Sequence, residues 1–483
     1  MNDEMTSSSL TFSQILSAPV QFPSLLRSQI DHELVGPVLL FVRTSFLSFL
    51  VGSLLLLLCS LKLVLPSFLD GVNFLSYGRL FPVAIDLLLY GWAIPGGLAL
   101  IFWLTGHLSG ATLPYKRVLI AATHLWNSAL FFGSLALLIG YSTSVPLLEY
   151  PTWTSFLLFV AFLLMGLWVI FILKERRSSL FYVSQWYLLT ALAVFPWIYG
   201  TANMLLTWEK IQGSAQGPIQ AWYTGSLIQL WLIALPLAIT YYMIPKISGV
   251  KIYSYYLVLV GFISLLFFAG WSGLSALLGG PIPAWMSSVG VVSNILLFLP
   301  MMAVVLNIYH MFQEIDKTTL HQSPTLRFVA AGMIFYVLGS ALSILHAIPF
   351  ANAILNFTDY TRGLFFLVLL GSFGMTFLGA CYYFIPRLTE LHWSSSSSIQ
   401  YHFWLTIIGI VLLISAMTLG GLIEGVAWND PAISITNIIS YAAPFRWLAV
   451  LAWGLLLLGF FFFVRLLLLM RWQMIEKRVP NSL

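Results

Sequence analysis

Imidazole and thiolate side chains are the groups best suited to hold a transition metal or a haem iron. This chain has eight histidines, His32, His107, His124, His310, His321, His346, His392 and His402, and two cysteines, Cys59 and Cys381. None of the histidines forms a His-x-His, a His-His pair, or a pair at helical spacing i, i+3 or i+4. Both cysteines stand alone inside apolar runs, which predicts small core residues, because a thiolate metal site needs clustered ligands. Cys-x-x-Cys-His is absent. Other polar residues stand out against the apolar background. Asp86 lies inside an apolar run, where an acid is costly unless neutral, paired or wet. Arg362 follows Asp359, and His346 sits near the end of another run.

These residues must be positioned by membrane-spanning helices. Of 483 residues, 60% are hydrophobic and 8% charged, where a soluble domain carries about 25% charged residues. Apolar runs of about 20 residues recur along the chain, which predicts an all-α polytopic membrane protein. The runs are too long and too uniformly apolar for the alternating strands of a barrel. About twelve spans are expected, near 39–65, 80–105, 117–140, 152–174, 181–206, 219–244, 254–278, 288–312, 326–350, 362–384, 401–425 and 444–470. Residues 1–36 read as a cytoplasmic arm with an interfacial helix around Phe12 to Ile30, 37–472 as one membrane domain, and 473–483 as a cytoplasmic tail. The run Ser394 to Ser398 reads as a mobile loop.

The net charge of +5 sits mostly in loops, so it reports topology rather than nucleic-acid binding. Basic residues follow the even-numbered spans, as at Lys116, Lys174, Lys246, Lys317 and Arg387. The positive-inside rule then places both termini in the cytoplasm. The start MNDEMTSSS lacks the basic region and apolar core of a signal peptide, so insertion is expected to use the first span. Tryptophan and tyrosine at span ends, including Trp222, Tyr223, Trp285 and Trp393, read as interfacial belts.

Several short stretches occur in a telling order. They are YGRLFP (Tyr77 to Pro82), QWYLLTALAVFPWIYGTAN (Gln185 to Asn203), QAWY (Gln220 to Tyr223) and YYMIPK (Tyr241 to Lys246), then YSYY (Tyr253 to Tyr256), GGPIPAW (Gly279 to Trp285), TDYT (Thr358 to Thr361) and CYYFIPRL (Cys381 to Leu388). Over residues 40–430 this order and spacing resemble subunit I of the haem-copper respiratory oxidases, closest to the cbb3-type cytochrome c oxidases. The resemblance implies twelve spans, two haems and one copper, and oxidation of cytochrome c coupled to oxygen reduction and proton pumping. It also implies ligand positions. The low-spin haem ligand would stand at Ala84, with its partner and the high-spin haem ligand at Leu364 and Phe366. The copper ligands would stand at Gly225, Ser275 and Ala276, and the family's cross-linked tyrosine at Ala269. No imidazole stands at any of them, so no catalytic residue, metal ligand or resident cofactor is expected.

The expectation is therefore a degenerate relative of that subunit, not catalytic alone. It would act as a structural membrane subunit of a respiratory or electron-transfer complex in a bacterial inner membrane, beside other membrane subunits and a c-type cytochrome. One alternative is a redox subunit holding haem by atypical ligands, with His346 as a lone haem ligand and Asp86 and Arg362 as further polar candidates. Another is a transporter or channel using the vacated cavity. Among the polar residues, Asp86 is expected to cap or pair near the surface, with Arg79 as partner. Arg362 is expected to pair with Asp359 or Asp86, and His346 to be a hydrogen-bonded core residue. His107 and His124 are expected to be solvated at the interface, and Glu424 to lie at the rim. His32, His321 and His392 read as loop residues. Tyr255, Tyr256 and Thr240 are expected to line any water path.

Overall fold

The computed structural model describes residues 23–111, 116–177, 181–209 and 211–478, with side chains to 473. Among the described residues, twelve helices are long and apolar enough to cross a membrane. They are α1 (Ser24–Val64), α2 (Tyr77–Ser109), α3 (Lys116–Ile139), α4 (Thr152–Lys174), α5 (Val183–Trp208), α6 (Gly213–Ser248), α7 (Tyr255–Leu277), α8 (Ala284–Glu314), α9 (Pro324–Ala347), α10 (Asp359–Thr389), α11 (Ser396–Trp428) and α12 (Ile435–Gln473). No strand occurs among the described residues.

The spans divide by burial. In α2, α6 and α10, 94%, 89% and 89% of the most apolar stretch is buried, against 33–44% in the other nine. These three are the inner helices, and the others present one face outward. Neighbouring spans pair as α1 with α2, α3 with α4, α5 with α6, α7 with α8, α9 with α10 and α11 with α12, and α12 packs back on α1.

Each inner helix widens to a π-helical stretch near its middle, at Leu87–Ala93, Ile228–Ile233 and Leu367–Gly374. A π turn frees carbonyls from the i−4 ladder, and in an apolar interior these need other donors. In α2 the donors are identifiable. Pro95 has no N–H to give. Trp126 Nε1 of α3 donates to the Tyr90 carbonyl at 3.0 Å, and Ser45 Oγ of α1 donates to the Trp92 carbonyl at 2.9 Å.

Several of the quoted motifs prove to be helix ends, whereas Gln185–Asn203 forms most of α5 and Gln220–Tyr223 lies inside α6. Thr358 caps α10, its Oγ1 accepting from Tyr360 N at 3.3 Å. Ser254 caps α7 and is bracketed by Asn307, whose Oδ1 accepts from Ser254 N and whose Nδ2 donates to the Ser254 carbonyl. Gln185 Oε1 accepts from Tyr182 N at 2.9 Å in a capping box at the start of α5. Gly279, at φ +78°, supplies the left-handed turn before α8 that a side chain would strain.

Three boundary expectations are corrected. The break at 36/37 falls inside α1, which starts at Ser24. Residues 24–36 look polar because one face is exposed, yet Leu26, Ile30, Leu34 and Val38 form a buried stripe at helical spacing. The expected interfacial helix is the first turns of α1 where described, and its residues 12–22 lie outside the described residues. The break at 472/473 also falls inside a helix, which runs to Arg478; residues 479–483 lie outside the described residues. The serine run opens α11: Ser395 is its N-cap, with Oγ accepting from Ser398 N at 3.2 Å. Serine at an N-cap favours helix, which low complexity obscured. His32 lies on α1 and His321 in the short helix Lys317–Gln322, not in loops, whereas His392 is in a loop.

Candidate functional site

The positions singled out in the sequence lie on the inner helices α2, α6 and α10 and on α7, beside the π stretches. Ala84 and Phe366 are fully buried, and Leu364 is half-buried. Phe81 and Phe366 line one crevice of about 40 Å³, room for about three waters. The Phe366 ring meets Trp453 edge-on at 5.4 Å, and Phe365 lies 5.8 Å from Phe366. Farther along, Trp92 of α2 meets Phe373 and Phe377 of α10 edge-on at 5.5 and 6.4 Å. The space between α2 and α10 is thus filled with aromatic rings.

Gly225 of α6 meets α7 at Gly273, two residues before Ser275, through backbone rather than side chains. A Cβ at Gly225 would stand 2.6 Å from both Cα and N of Gly273, and one at Gly273 would stand 1.9 Å from the Ala221 carbonyl oxygen. On the far side, a Cβ at Gly290 would meet Ser275 N at 2.3 Å. No side chain fits at these crossings. Ser275 Oγ is fully engaged: it donates to the Ser272 carbonyl at 2.9 Å and accepts from Asn294 Nδ2 at 3.0 Å. The Ala276 carbonyl accepts from Asn356 Nδ2 at 2.9 Å, and Ala269 is buried.

The remaining polar candidates separate. Arg362 pairs with Asp359 at 2.9 Å, at the outer mouth of the crevice, and lies over the Phe81 ring. Glu424, in the last turns of α11, is buried against its neighbours, with Arg446 Nη2 donating to it at 2.8 Å and Asp359 N at 3.2 Å. His346 is buried, but its Nε2 has no hydrogen-bond partner, and its ring stacks on Tyr360 at 5.8 Å. The expected hydrogen-bonded core histidine is therefore corrected at that nitrogen.

Asp86 does not pair with Arg79. The Arg79 guanidinium donates to the Leu138 carbonyl at 3.1 Å, whereas Asp86 is fully buried and faces Glu149. Glu149 lies in the segment between α3 and α4, far from Asp86 in sequence, and nothing local could have paired them. Burial pushes the Glu149 carboxyl up to about 7, although backbone N–H groups of Glu149, Leu147 and Leu148 and the Asp86 carboxyl act to lower it.

Three further expectations are revised, those for His107, for Tyr256 with Thr240, and for Tyr223. His107 is buried, its Nε2 2.8 Å from Asp31 Oδ1 but off the hydrogen-bonding direction, while His124 is exposed. His402 is buried in α11, with Nδ1 2.7 Å from the Tyr382 hydroxyl. Tyr256 is 75% exposed and faces outward, while Thr240 is buried and donates to the Pro236 carbonyl, so the two share no path. Tyr223 is not at an interface: it is buried, with its hydroxyl 2.6 Å from that of Tyr90. Span-end position suggested a belt, but inner helices carry aromatic residues inward as well. Cys59 and Cys381 are buried free thiols, as expected.

The fold and this arrangement define a class: an integral membrane bundle of twelve apolar helices whose inner triad is bent by π turns. The chain belongs to the family described as Cytochrome C and Quinol oxidase polypeptide I, whose sequence profile matches residues 36–469. It is 29% identical over 409 residues to cytochrome c oxidase subunit 1 of Rhodobacter capsulatus, covering 79% of this chain and 74% of that protein. It is 25% identical over 379 residues to the Cbb3-type cytochrome c oxidase subunit CcoN1 of Stutzerimonas stutzeri, covering 76% and 78%. A heme-copper terminal oxidase dimer solved by cryo-EM shares the fold, with a TM-score of 0.64 at 15% identity, covering 93% of this chain and 84% of that one.

Proposed function

We propose that this chain is a structural member of its family, a membrane subunit of a respiratory or electron-transfer assembly that holds neither the haems nor the copper of an oxygen-reducing centre. One observation carries the reading: the six family ligand positions bear Ala84, Gly225, Ser275, Ala276, Leu364 and Phe366. Alkyl and phenyl groups have no lone pair for iron, and copper in such a site wants imidazole nitrogen. The residues present therefore do not fit the family's cofactors. Packing supports the same reading. Gly225 and Gly273 touch backbone to backbone where a ligand side chain would need its Cβ. Such a repacked interior avoids the cost of an empty cavity, about 24 cal/mol per Å³.

Folds are reused without their sites. In this reading the chain contributes its helical frame, and electrons and protons move in partner subunits, among them another oxidase subunit and a c-type cytochrome. Its location is a bacterial inner membrane with both termini cytoplasmic, an orientation the basic residues after even-numbered spans support. A second reading, a haem on an atypical ligand, draws on His346, whose buried Nε2 is unpartnered. Reduced-minus-oxidised and pyridine haemochrome spectra of the protein purified with its native partners separate the two. The expected result is no haem stoichiometric with this chain. One b-type haem per chain, lost in His346→Ala, would establish the second reading.

A further inference from the structure

The most unusual chemistry in the interior lies away from the vacated ligand positions. Asp86, on α2, is fully buried, and both of its carboxyl oxygens lack a hydrogen-bond donor. Among the described residues, the carboxyl facing it is that of Glu149, within hydrogen-bonding reach. Two adjacent carboxylates cannot both stay ionised in an apolar interior without a cation or a proton between them.

No cation is at hand among the described residues. Arg79 of α2 is turned to the Leu138 carbonyl and lies against Gly140. Lys62 of α1 donates to the Phe68 carbonyl. The other titratable groups around the pair are phenols: Tyr90 of α2, Tyr150 just before α4, Tyr199 of α5 and Tyr223 of α6. A hard divalent cation is a poor fit, since calcium takes six to eight oxygens. Here no group of three acidic, histidine or cysteine side chains occurs among the described residues. The nearby Leu147 carbonyl is already taken by the Tyr90 hydroxyl.

The two acids are not equivalent. Glu149 receives backbone N–H groups from Glu149, Leu147 and Leu148, which stabilise its carboxylate. Asp86 receives none. We propose that Asp86 and Glu149 form a single proton-binding site in which the Asp86 carboxyl carries the proton and donates it to the Glu149 carboxylate. The proton stays on one oxygen of Asp86 and no bond other than this hydrogen bond changes. Glu149 sits on the segment that reaches the surface at the exposed Tyr141, so it is the side from which protons exchange. On the other side, Tyr90 bonds to Tyr223 across α2 and α6, two residues from Gly225. The site belongs to this chain's own frame and stands apart from the haem-free reading.

Infrared spectroscopy of the full-length protein in lipid tests this directly. At neutral pH the wild type is expected to show a protonated-carboxyl C=O stretch that shifts on H/D exchange. Asp86→Asn, nearly isosteric, should abolish it. Glu149→Gln should keep the band at a shifted frequency, because an amide replaces the carboxylate acceptor. Absence of the band in the wild type overturns the proposal, as does a band unchanged in Asp86→Asn. If Asp86→Asn does not fold, an unshifted band in Glu149→Gln is equally decisive against it. A band that appears only after chelator treatment and disappears on adding calcium would assign the pair to a cation instead.

Discussion

Glu149 illustrates what a single residue can report. Its carboxyl has an ordinary value of 4.5 and is raised by burial to about 7. A raised carboxyl binds its proton more tightly in the folded state than in the unfolded one. Its contribution is complete below about pH 4.5 and is lost as pH rises through about 7. The wild type is therefore expected to lose thermal stability across that window and to level off above it. Glu149→Gln should flatten the profile there. The full effect is bounded at about 3 kcal/mol, and melting curves at stepped pH check it. Sequence alone flagged Asp86 as an acid in an apolar run but assigned it to Arg79, the nearest opposite charge. Its partner lies across a helix and a turn, so only the fold could supply it. Glu149 could have been suspected only from its place in a short apolar segment between spans.

At the scale of elements, the π stretches and glycine crossings fix the inner helices. Trp126→Phe removes the donor to the Tyr90 carbonyl and leaves that oxygen unpaired in the core. The expected loss is about 1–3 kcal/mol, measured by thermal or denaturant unfolding in detergent. Gly225→Ala forces a methyl group against the Gly273 backbone at 2.6 Å. It should cost about 1–3 kcal/mol by overpacking, and Gly225→His should fail to restore metal binding because its side chain has no entry. A stable, copper-loaded Gly225→His variant would contradict the crossing described for α6 and α7. The spans themselves were legible, because an apolar stretch long enough for the bilayer announces itself. The π turns were not, since donors to the freed carbonyls, as Trp126 and Ser45 are in α2, come from other spans.

Over the whole molecule, α1, α2 and α10 are tied at one end by Asp31. Arg387 Nε donates to its Oδ2 at 2.8 Å, and His107 approaches its Oδ1 at 2.8 Å. These residues lie far apart along the chain, and Asp31 falls in the stretch that reads as a polar arm. Asp31→Ala would leave Arg387 and His107 without their shared acid. Losing a part-buried, charge-assisted hydrogen bond costs about 1–3 kcal/mol, so a loss of thermal stability is expected in melting curves of Asp31→Ala. At the opposite end, Glu424, Arg446 and Asp359 join α10, α11 and α12 in the same manner. Inner helices with few polar groups are thus anchored by ion pairs near their ends, where water makes charge tolerable.

The sequence by itself determined the membrane class, the number of spans and the family frame. Each of these depends on local composition or on residues read in order, and several of the quoted motifs are caps and turns whose chemistry is local. Only the tertiary structure decided which spans lie inside, that Gly225 and Gly273 meet through their backbones, and that Asp86 faces Glu149 rather than Arg79. Those facts depend on which helix faces press together. An apolar helix that is buried all round and one that is buried on one side carry nearly the same composition, so sequence cannot tell them apart.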